Sequence, residues 1–535
     1  MMNRKSARVL ACACGLAAAG CGLSEQAAAG GMTSGATSSD STPAASRAGT
    51  SSHASASSSA VPSSGSSASS GSSGGSGSSG GSASMAMASS APASDDGGGS
   101  CAVTSSRIRI TEIDVGATVL NNEVDSNAPN PGLYPLAISP RPSGGSLVAF
   151  MSSDSAVHIQ PLDATDAVTG TASSIPAVDF QDIFADDSGG VVLVSRDAQG
   201  GGNLNCGTIS NLCGATASLP TPDPCYDMYM VRFDAEQETW ATELTSSSAT
   251  LPPYDTSPTS STWVYFVWWY AHNGRIAFDG TRYAAYFGTA ISLSQTCVDS
   301  NSALATGINI HQGDRMKIVD GSGAIQSGGF DLGCSHSGYE RVIWDPAASA
   351  FVAVCQTDNN NRIAFPGSGN NDTTIYPVDL TYASVGNIAL AAGGGYWLTV
   401  SNIRQGQPSG QDGLADVHLL HTTTGAADQD IVLASDSGLN DRAPHLSAYG
   451  ATRLLAAWET SPTAGLLAPN DKNRKLYLQV LDAATGAADG APFNVTGVAG
   501  NRYNDFRPFP DGSVAYVAPG STSTKLRILR VLPCP

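Results

Sequence analysis

The stretch from Pro444 to Val495 reads PHLSAYGATRLLAAWE, then a polar loop, then KLYLQVLDAATG and GAPFNV. Turn residues separate four short runs in which apolar and polar residues alternate, a pattern that predicts four antiparallel strands. The first two runs meet in a four-residue hairpin connection, from Gly450 to Arg453. One sheet of this size cannot bury both of its faces, so further copies of the pattern are expected in the chain.

Seven copies of this pattern are present, each with a small or polar turn followed at once by an apolar strand. The turns begin at Ser143, Asp187, Asp279, Ala347, Ala392, Gly450 and Pro510. We name the strand before each turn A, the strand after it B, and the next two C and D. Four residues before the turn, strand A mostly carries a large apolar residue, and the exceptions are Ser139 and Arg275.

Seven four-stranded sheets in series predict an all-β fold, a seven-bladed β-propeller. A pair of β-sandwich domains is the alternative, which the regular hairpin-loop-strand order disfavours. The seventh copy ends at strand C, and RIRITEIDV, from Arg107 to Val115, can supply its missing strand and close the ring. Closure removes the unpaired edges that promote aggregation. Cys101 and Cys534 flank the two closing segments, and we predict that they form a disulfide.

The composition divides the chain into three parts. From Ser24 to Ser100 it is almost entirely serine, glycine and alanine, which is typical of a flexible tether. We therefore assign residues 1–21 to a signal segment, 22–100 to a disordered tether and 101–535 to the propeller. The net charge of −19 lacks the basic excess of a nucleic-acid-binding protein, so no nucleic-acid partner is expected.

The N-terminus has the features of an export signal. Basic residues precede a short apolar run from Val9 to Gly20, too few residues to span a bilayer. The following LAAAGC, Leu16 to Cys21, resembles a bacterial lipoprotein signal. That resemblance implies lipidation of Cys21 and an exported protein anchored at the cell envelope, and Gly22 resembles the class sorted to the outer membrane. The alternative is an ordinary signal cleaved near Ala19, which would release the protein.

Eight cysteines remain after the signal segment, and an even number in an exported chain predicts disulfides. We predict the pairs Cys101–Cys534 and Cys334–Cys355. Two further pairs are expected among Cys206, Cys213, Cys225 and Cys297. The chain has no CxxC pair, which disfavours a structural zinc site.

The connections on the two faces of the ring differ in length. The A-to-B turns have about four residues, whereas the predicted B-to-C loops are long. Those loops run from Ser195 to Cys225, Gly288 to Gly307, Gln356 to Thr373, Ser401 to Asp416 and Glu459 to Arg474. Because binding residues concentrate in long loops on a rigid scaffold, we expect the B-to-C face to be the functional one.

Polar residues recur on the A strands, which should line the central channel. Five residues before the turn, or two residues earlier still in one copy, stand Asp182, Glu340, Asn387, His445 and Asp505. Such a ring could hold a cation or a sugar, and paired carboxylates there could perform general acid–base chemistry. The alternative is a polar, water-filled channel without a ligand.

Two further stretches are candidate binding sites. His311 and Asp314 precede the predicted strand C of the third copy, and His336 precedes strand A of the fourth, so the three residues could bind a metal. Alternatively, they are turn residues around a disulfide at Cys334. The run WVYFVWWY contains Trp268 and Trp269, which could stack on a sugar or a peptide, or could lie buried in a strand.

FRPFPDGSVAYVA, Phe506 to Ala518, is similar to one repeat unit of TolB-like propellers, and AAWE followed by LYLQVLDAATG resembles units of other exported bacterial propellers. These resemblances imply a fold and no particular function. The sequence favours a non-enzymatic envelope lipoprotein that binds a protein, peptide or glycan through the B-to-C face. One alternative is a polysaccharide hydrolase or lyase, and another is a structural envelope protein. The only cofactor left open is a divalent cation.

Overall fold

The computed structural model describes residues 100–121, 134–197, 226–234, 237–245, 263–266, 274–298, 304–335, 338–358, 361–369, 371–379, 383–407, 413–436, 438–464 and 473–534. Over these ranges the regular structure is β-strand, apart from one 3-10 turn at Ser105–Arg107. No helix within the described ranges is long and apolar enough to cross a membrane.

The described strands form seven antiparallel sheets, as the sequence predicts, and each sheet is one blade of a β-propeller. Blade 1 contains Ala137–Pro140, Ser146–Ser152, Ala156–Leu162 and Ser173–Pro176. Blade 2 contains Asp179–Ala185, Gly189–Asp197, Tyr226–Asp234 and Gln237–Glu243. Blade 3 contains Gly274–Phe278, Arg282–Val298, Leu304–Asp320 and Ile325–Ser335. Blade 4 contains Gly338–Asp345, Ala350–Thr357, Arg362–Phe365 and Thr373–Pro377. Blade 5 contains Ser384–Leu390, Tyr396–Ile403, Ala415–Thr422 and Gln429–Ala434. Blade 6 contains Asn440–Tyr449, Arg453–Ser461, Lys475–Asp482 and Phe493–Val495. Blade 7 contains Arg507–Pro508, Val514–Pro519, Lys525–Val531 and Ile108–Asp114.

The A strands form the centre of the ring. Each A strand contacts the A strands of both neighbouring blades, and the strand of blade 7 contacts that of blade 1. Each B strand packs against the neighbouring blades on both sides of its own blade, so both of its faces are buried. In blade 2, Val192 and Val194 pack toward blade 1, whereas Val191 and Leu193 pack toward blade 3. This position explains why the B strands are continuous apolar runs.

The N-terminal strand closes the ring. Ile108–Asp114 pairs with Lys525–Val531 as the outermost strand of blade 7, which confirms the sequence-based prediction. The disulfides Cys101–Cys534 and Cys334–Cys355 are also confirmed. Cys206, Cys213 and Cys225 lie outside the described residues, and Cys297 is described only as part of a strand backbone.

Three details of blades 3 and 4 differ from the sequence-based prediction. The stretch from Gly288 to Gly307 is mostly a continuous hairpin of Arg282–Val298 with Leu304–Asp320, because strand pairing continues past the blade. For the same reason His311 and Asp314 lie within strand C and do not precede it. In blade 4, strand C is Arg362–Phe365, and the segment near TIYPVD forms strand D. Strand C has only four residues, too few for alternation to reveal it.

Four A strands carry a β-bulge near the entrance to the channel. The register against strand B shifts between Phe180 and Asp182, and equivalent shifts occur in blades 4, 5 and 6. In blade 6 the bulge contains Ala443, at a positive φ of 47°, and Pro444, which has no amide hydrogen to donate to the sheet. Because a bulge re-aims the side chains beside it, these bulges decide which residues enter the channel.

Candidate functional site

The predicted channel residues Asp182, His445 and Asp505 come together at the centre of the ring, but arginine side chains accompany them. Asp505 is buried and accepts two hydrogen bonds from Arg275, at 2.5 Å from Nε and 3.0 Å from Nη2. Arg275 also donates to the carbonyl oxygens of Gly274 and Tyr503. A bidentate pair of this kind is strong and has a fixed geometry. The centre of the propeller is therefore an ion-paired cluster.

A second pair connects blades 2 and 7. Nη2 of Arg507 lies 2.6 Å and 2.7 Å from the two carboxylate oxygens of Asp182, and 3.3 Å from Oδ2 of Asp505. Asp182 also accepts a hydrogen bond from the backbone nitrogen of Ile276 in blade 3. The two carboxylates thus share one nitrogen of Arg507, which keeps them close without repulsion.

Arg341 adds a further charge to the cluster. Its side chain is fully buried, and its nitrogens donate to the carbonyl oxygens of Gly386, Glu340, Val385 and Arg502. Burial and the charge of Arg275 lower the pKa of Arg341 to about 10, which still leaves it charged at neutral pH. Burial alone would raise the pKa of Asp505, but the three arginines outweigh burial and hold it well below its usual value. Asp505 is therefore a carboxylate and not a proton donor.

His445 is buried in the same cluster as a neutral side chain. Its ring packs edge-on against Phe506 and Tyr516, and neither ring nitrogen makes a well-formed hydrogen bond with another described residue. Burial, helped by the charges of Arg341 and Arg275, lowers its pKa to about 3, although Asp505 and the backbone of Asn504 oppose this shift. A histidine in this state cannot carry a proton near neutral pH.

The other two predicted channel residues have different surroundings. Glu340 is buried next to Arg341 in blade 4, and its charge acts on Arg341 and on Asp314 of blade 3. Asn387 is half-buried in blade 5, and its Oδ1 accepts a hydrogen bond from the backbone of Ile388. Of the five predicted residues, three are brought together. The sequence signal for the missed arginines was the charge of Arg275 at an A-strand position that is otherwise mostly apolar.

A narrow recess, without room for a water molecule, lies among the side chains of the cluster. Its lining consists of Pro135, Leu136, Ala137, Gln181, Asp182, Arg275, Tyr503, Asp505 and Arg507. Three of these residues stand at the start of their A strands: Ala137 and Arg507 are first residues, and Arg275 is a second residue. Since A strands begin where B strands end, the recess opens on the face that carries the B-to-C connections.

The predicted metal-binding residues have a different environment. Oδ1 of Asp314 accepts backbone hydrogen bonds from Gly333 and Cys334, and its Oδ2 accepts one from the Tyr286 hydroxyl. The sulfur atoms of Cys334 and Cys355 are within 4.8 Å of the carboxylate but are bonded to each other, so they are not available as thiolates. His311 is described by its backbone alone, and His336 lies outside the described residues.

The aromatic stretch is described only in part. Trp263–Phe266 pairs with Ala290–Leu293 beside the long hairpin of blade 3, as expected if the stretch forms a strand. Trp268 and Trp269 lie outside the described residues.

Asp314 and His445 are expected to give opposite pH dependences of stability. Burial, helped by nearby Glu340, raises the pKa of Asp314 to about 7, although the hydrogen bonds that its carboxylate accepts oppose this shift. Between pH 4 and 7 the folded state therefore binds one proton more than the unfolded state, and stability falls as the pH rises. The pKa of His445 is about 3 in the folded state and near 6.5 in the unfolded state. Between these two pH values the unfolded state binds the extra proton, so stability rises with pH.

We therefore expect the variants Asp314→Asn and His445→Leu to change the pH profile in opposite directions. The free energy of unfolding of Asp314→Asn minus that of the wild type should increase from pH 4.5 to 6.5. The corresponding difference for His445→Leu should decrease over the same range. Each slope should change by on the order of 1 kcal/mol per pH unit. Urea unfolding at the two pH values measures this, and parallel profiles for all three proteins would contradict it.

Comparisons with known proteins add no identity. No family model matches the chain, and no curated protein matches it. Among solved structures, it is similar to the Dos1 propeller, with a TM-score of 0.33 and 10% identity over 72% of this chain and 76% of that one. For an α-L-arabinanase of Penicillium chrysogenum complexed with arabinobiose, the TM-score is 0.35 and the identity 8%, over 79% of this chain and 98% of that one. For the soluble aldose sugar dehydrogenase of Escherichia coli, the TM-score is 0.33 and the identity 13%, over 80% of this chain and 100% of that one. Likenesses this distant carry no argument about function.

Proposed function

We propose that this protein is an exported recognition module whose propeller binds a protein, peptide or glycan on the B-to-C face. The observation that carries the proposal is the channel entrance on that face, where ion pairs from several blades fix the charged side chains. Asp182, Arg275 and Asp505 are held from several blades at once, so little conformational freedom is lost when a ligand contacts them.

The same cluster argues against the polysaccharide hydrolase. Asp182 and Asp505 are as close as the carboxylates of a glycosidase, since both contact one nitrogen of Arg507. A glycosidase, however, needs one carboxylic acid with a raised pKa as its proton donor. The pKa of Asp505 is lowered, and both carboxylates are occupied by arginine. This arrangement supports recognition.

We extend the proposal to the location of the protein. Lipidation at Cys21 would attach it to the outer membrane, and residues 22–100 would hold the propeller away from the bilayer. Its domain would then be a relative of TolB-like exported propellers, with FRPFPDGSVAYVA in strands A and B of blade 7. In a detergent phase-separation assay, the full chain should enter the detergent phase and the Cys21→Ser variant should not. Equal partitioning of the two proteins would refute the anchor.

The ligand class can be tested by thermal-shift screening of the purified protein with glycans, peptides, divalent metals and EDTA. A ligand that binds only the folded state raises the melting temperature, by an amount that grows with its concentration over Kd. We expect a shift from an organic ligand and none from EDTA. A shift with calcium or zinc that EDTA reverses would favour the metal hypothesis. No shift with any compound would leave two hypotheses, a module that binds a protein and a structural envelope protein.

A further inference from the structure

The hairpin of strands B and C in blade 3 continues beyond its own blade. Strand A pairs with strand B only as far as Phe287, and strand D pairs with strand C only as far as Gly313. Beyond these points, residues 288–298 of strand B remain paired with strand C as a ladder. Because this hairpin is itself a B-to-C connection, the ladder projects on the B-to-C face.

The two edges of this ladder differ. On the side of strand B, Trp263–Phe266 adds antiparallel as a further strand. On the side of strand C, residues 304–312 have no strand partner within the described part of the chain. In an antiparallel ladder, every second residue directs its N–H and C=O groups away from the paired strand. Strand C therefore presents a row of unpaired backbone groups, on the order of 30 Å long at about 3.4 Å per residue.

This edge lacks the features that protect the other edges of the propeller. Natural edge strands avoid unwanted pairing by being short or by carrying proline or charged residues. Of the outermost strands of the blades, Ser173–Pro176 and Thr373–Pro377 end in proline, Phe493–Val495 has three residues, and Gln237–Glu243, Ile325–Ser335, Gln429–Ala434 and Ile108–Asp114 contain Asp or Glu. Residues 304–312, LATGINIHQ, contain no proline and no Asp, Glu, Lys or Arg, and the same holds for residues 288–298. An edge of this kind is a template for another extended chain.

We propose that residues 304–312 bind an extended segment of a partner polypeptide by β-strand addition, in which backbone hydrogen bonds provide the contacts. This inference rests on the proposed recognition function and specifies its ligand class as a peptide. The net charge of −19 disfavours an acidic ligand. The bound segment is therefore uncharged where it pairs and basic at its flanks. The same net charge opposes pairing of this edge with a second copy of the chain.

The test is a selection from random decapeptides displayed on phage, with the purified protein as bait, followed by titration of a selected peptide. We expect β-branched residues in its centre and Lys or Arg at its ends. The peptide is then N-methylated at one amide at a time. Methylation at every second position should weaken the Kd about tenfold, the loss of one backbone hydrogen bond, and methylation at the positions between should have no effect. A library that yields no peptide, or a methylation scan without this alternation, would overturn the inference.

Variants and hydrogen exchange locate the site on the protein. Ile308→Lys places a charge in the edge, as natural edge strands do, and should weaken the Kd of the same peptide about tenfold. Val432→Lys is the matched control, because Val432 is an apolar residue of another outer strand and is 53% exposed. It should retain the wild-type Kd. In the wild type, the peptide should slow amide exchange in residues 304–312 but not in Gln429–Ala434, and unchanged exchange in residues 304–312 would contradict the site without any variant.

The remaining outcomes separate this inference from the proposed function. Binding of a glycan without any peptide would overturn the inference and leave the proposed function standing. A dimer that forms with increasing concentration in sedimentation, and that slows exchange in residues 304–312, would assign the edge to a second copy and overturn the partner peptide. If no ligand of any class bound, both the inference and the proposed function would fail.

Discussion

Replacing Cys101 and Cys534 by alanine is expected to lower the free energy of unfolding by about 5 kcal/mol, because the disulfide closes nearly the whole propeller into one loop. The two cysteines are 433 residues apart in the sequence. In the chain-entropy account, stabilisation increases with the logarithm of loop length. The variant Cys334→Ala/Cys355→Ala, which opens a bridge across 21 residues, is the control and should lose about 3 kcal/mol.

The loss should begin at the closing strand. Arg107 connects the two ends of the chain, since its guanidinium donates to the carbonyl oxygens of Cys101 and Leu532 and to the hydroxyl of Tyr449. Without the disulfide, Ile108–Asp114 is held by pairing with Lys525–Val531, by these contacts and by ion pairs of Arg109 and Glu112. Hydrogen exchange should therefore show faster opening of Ile108–Asp114 than of the blade 5 strands. Equal protection of the two regions would contradict the role of the disulfide as a ring closure.

Replacing Asp505 by alanine should destabilise the propeller by about 3–5 kcal/mol, because it leaves buried arginines without their carboxylate. Arg275 would retain only carbonyl acceptors, and Arg341, 4.0 Å from Asp505, would lose the negative charge that favours its charged form most. Asp511→Ala in the exposed turn of the same blade is the control, and its cost should stay near 1 kcal/mol. Urea unfolding measures both.

A double-mutant cycle separates the ion pair from simple loss of packing. Arg275→Met should also be strongly destabilising, since it leaves Asp505 with fewer donors in a buried site. The double variant Arg275→Met/Asp505→Leu removes both charges, and its cost should be smaller than the sum of the single costs by about 2 kcal/mol or more. Strict additivity would show that the pair makes no specific contribution.

Much of the fold could be read from local patterns. All seven A-to-B turns lie at the predicted positions, and the connections between the strands have three to five residues. The predicted apolar positions before the turns are buried in the cases of Ile183, Ile388, Leu446 and Phe506. The alternation of apolar and polar residues did not predict two features. The strand Arg362–Phe365 is too short to show it, and the hairpin of blade 3 continues past the blade.

The sequence alone determined the number of blades, their order and the closure of the ring, because each of these depends on turns and strand patterns within a few dozen residues. Only the tertiary structure decided the chemistry of the centre. Arg507 and Asp182 are 325 residues apart, and Arg275 and Asp505 are 230 apart, so they meet only when the ring closes. The bulges add a rotation that no period-2 pattern contains. Part of the polar ring predicted from the sequence therefore becomes a cluster of ion pairs in the fold.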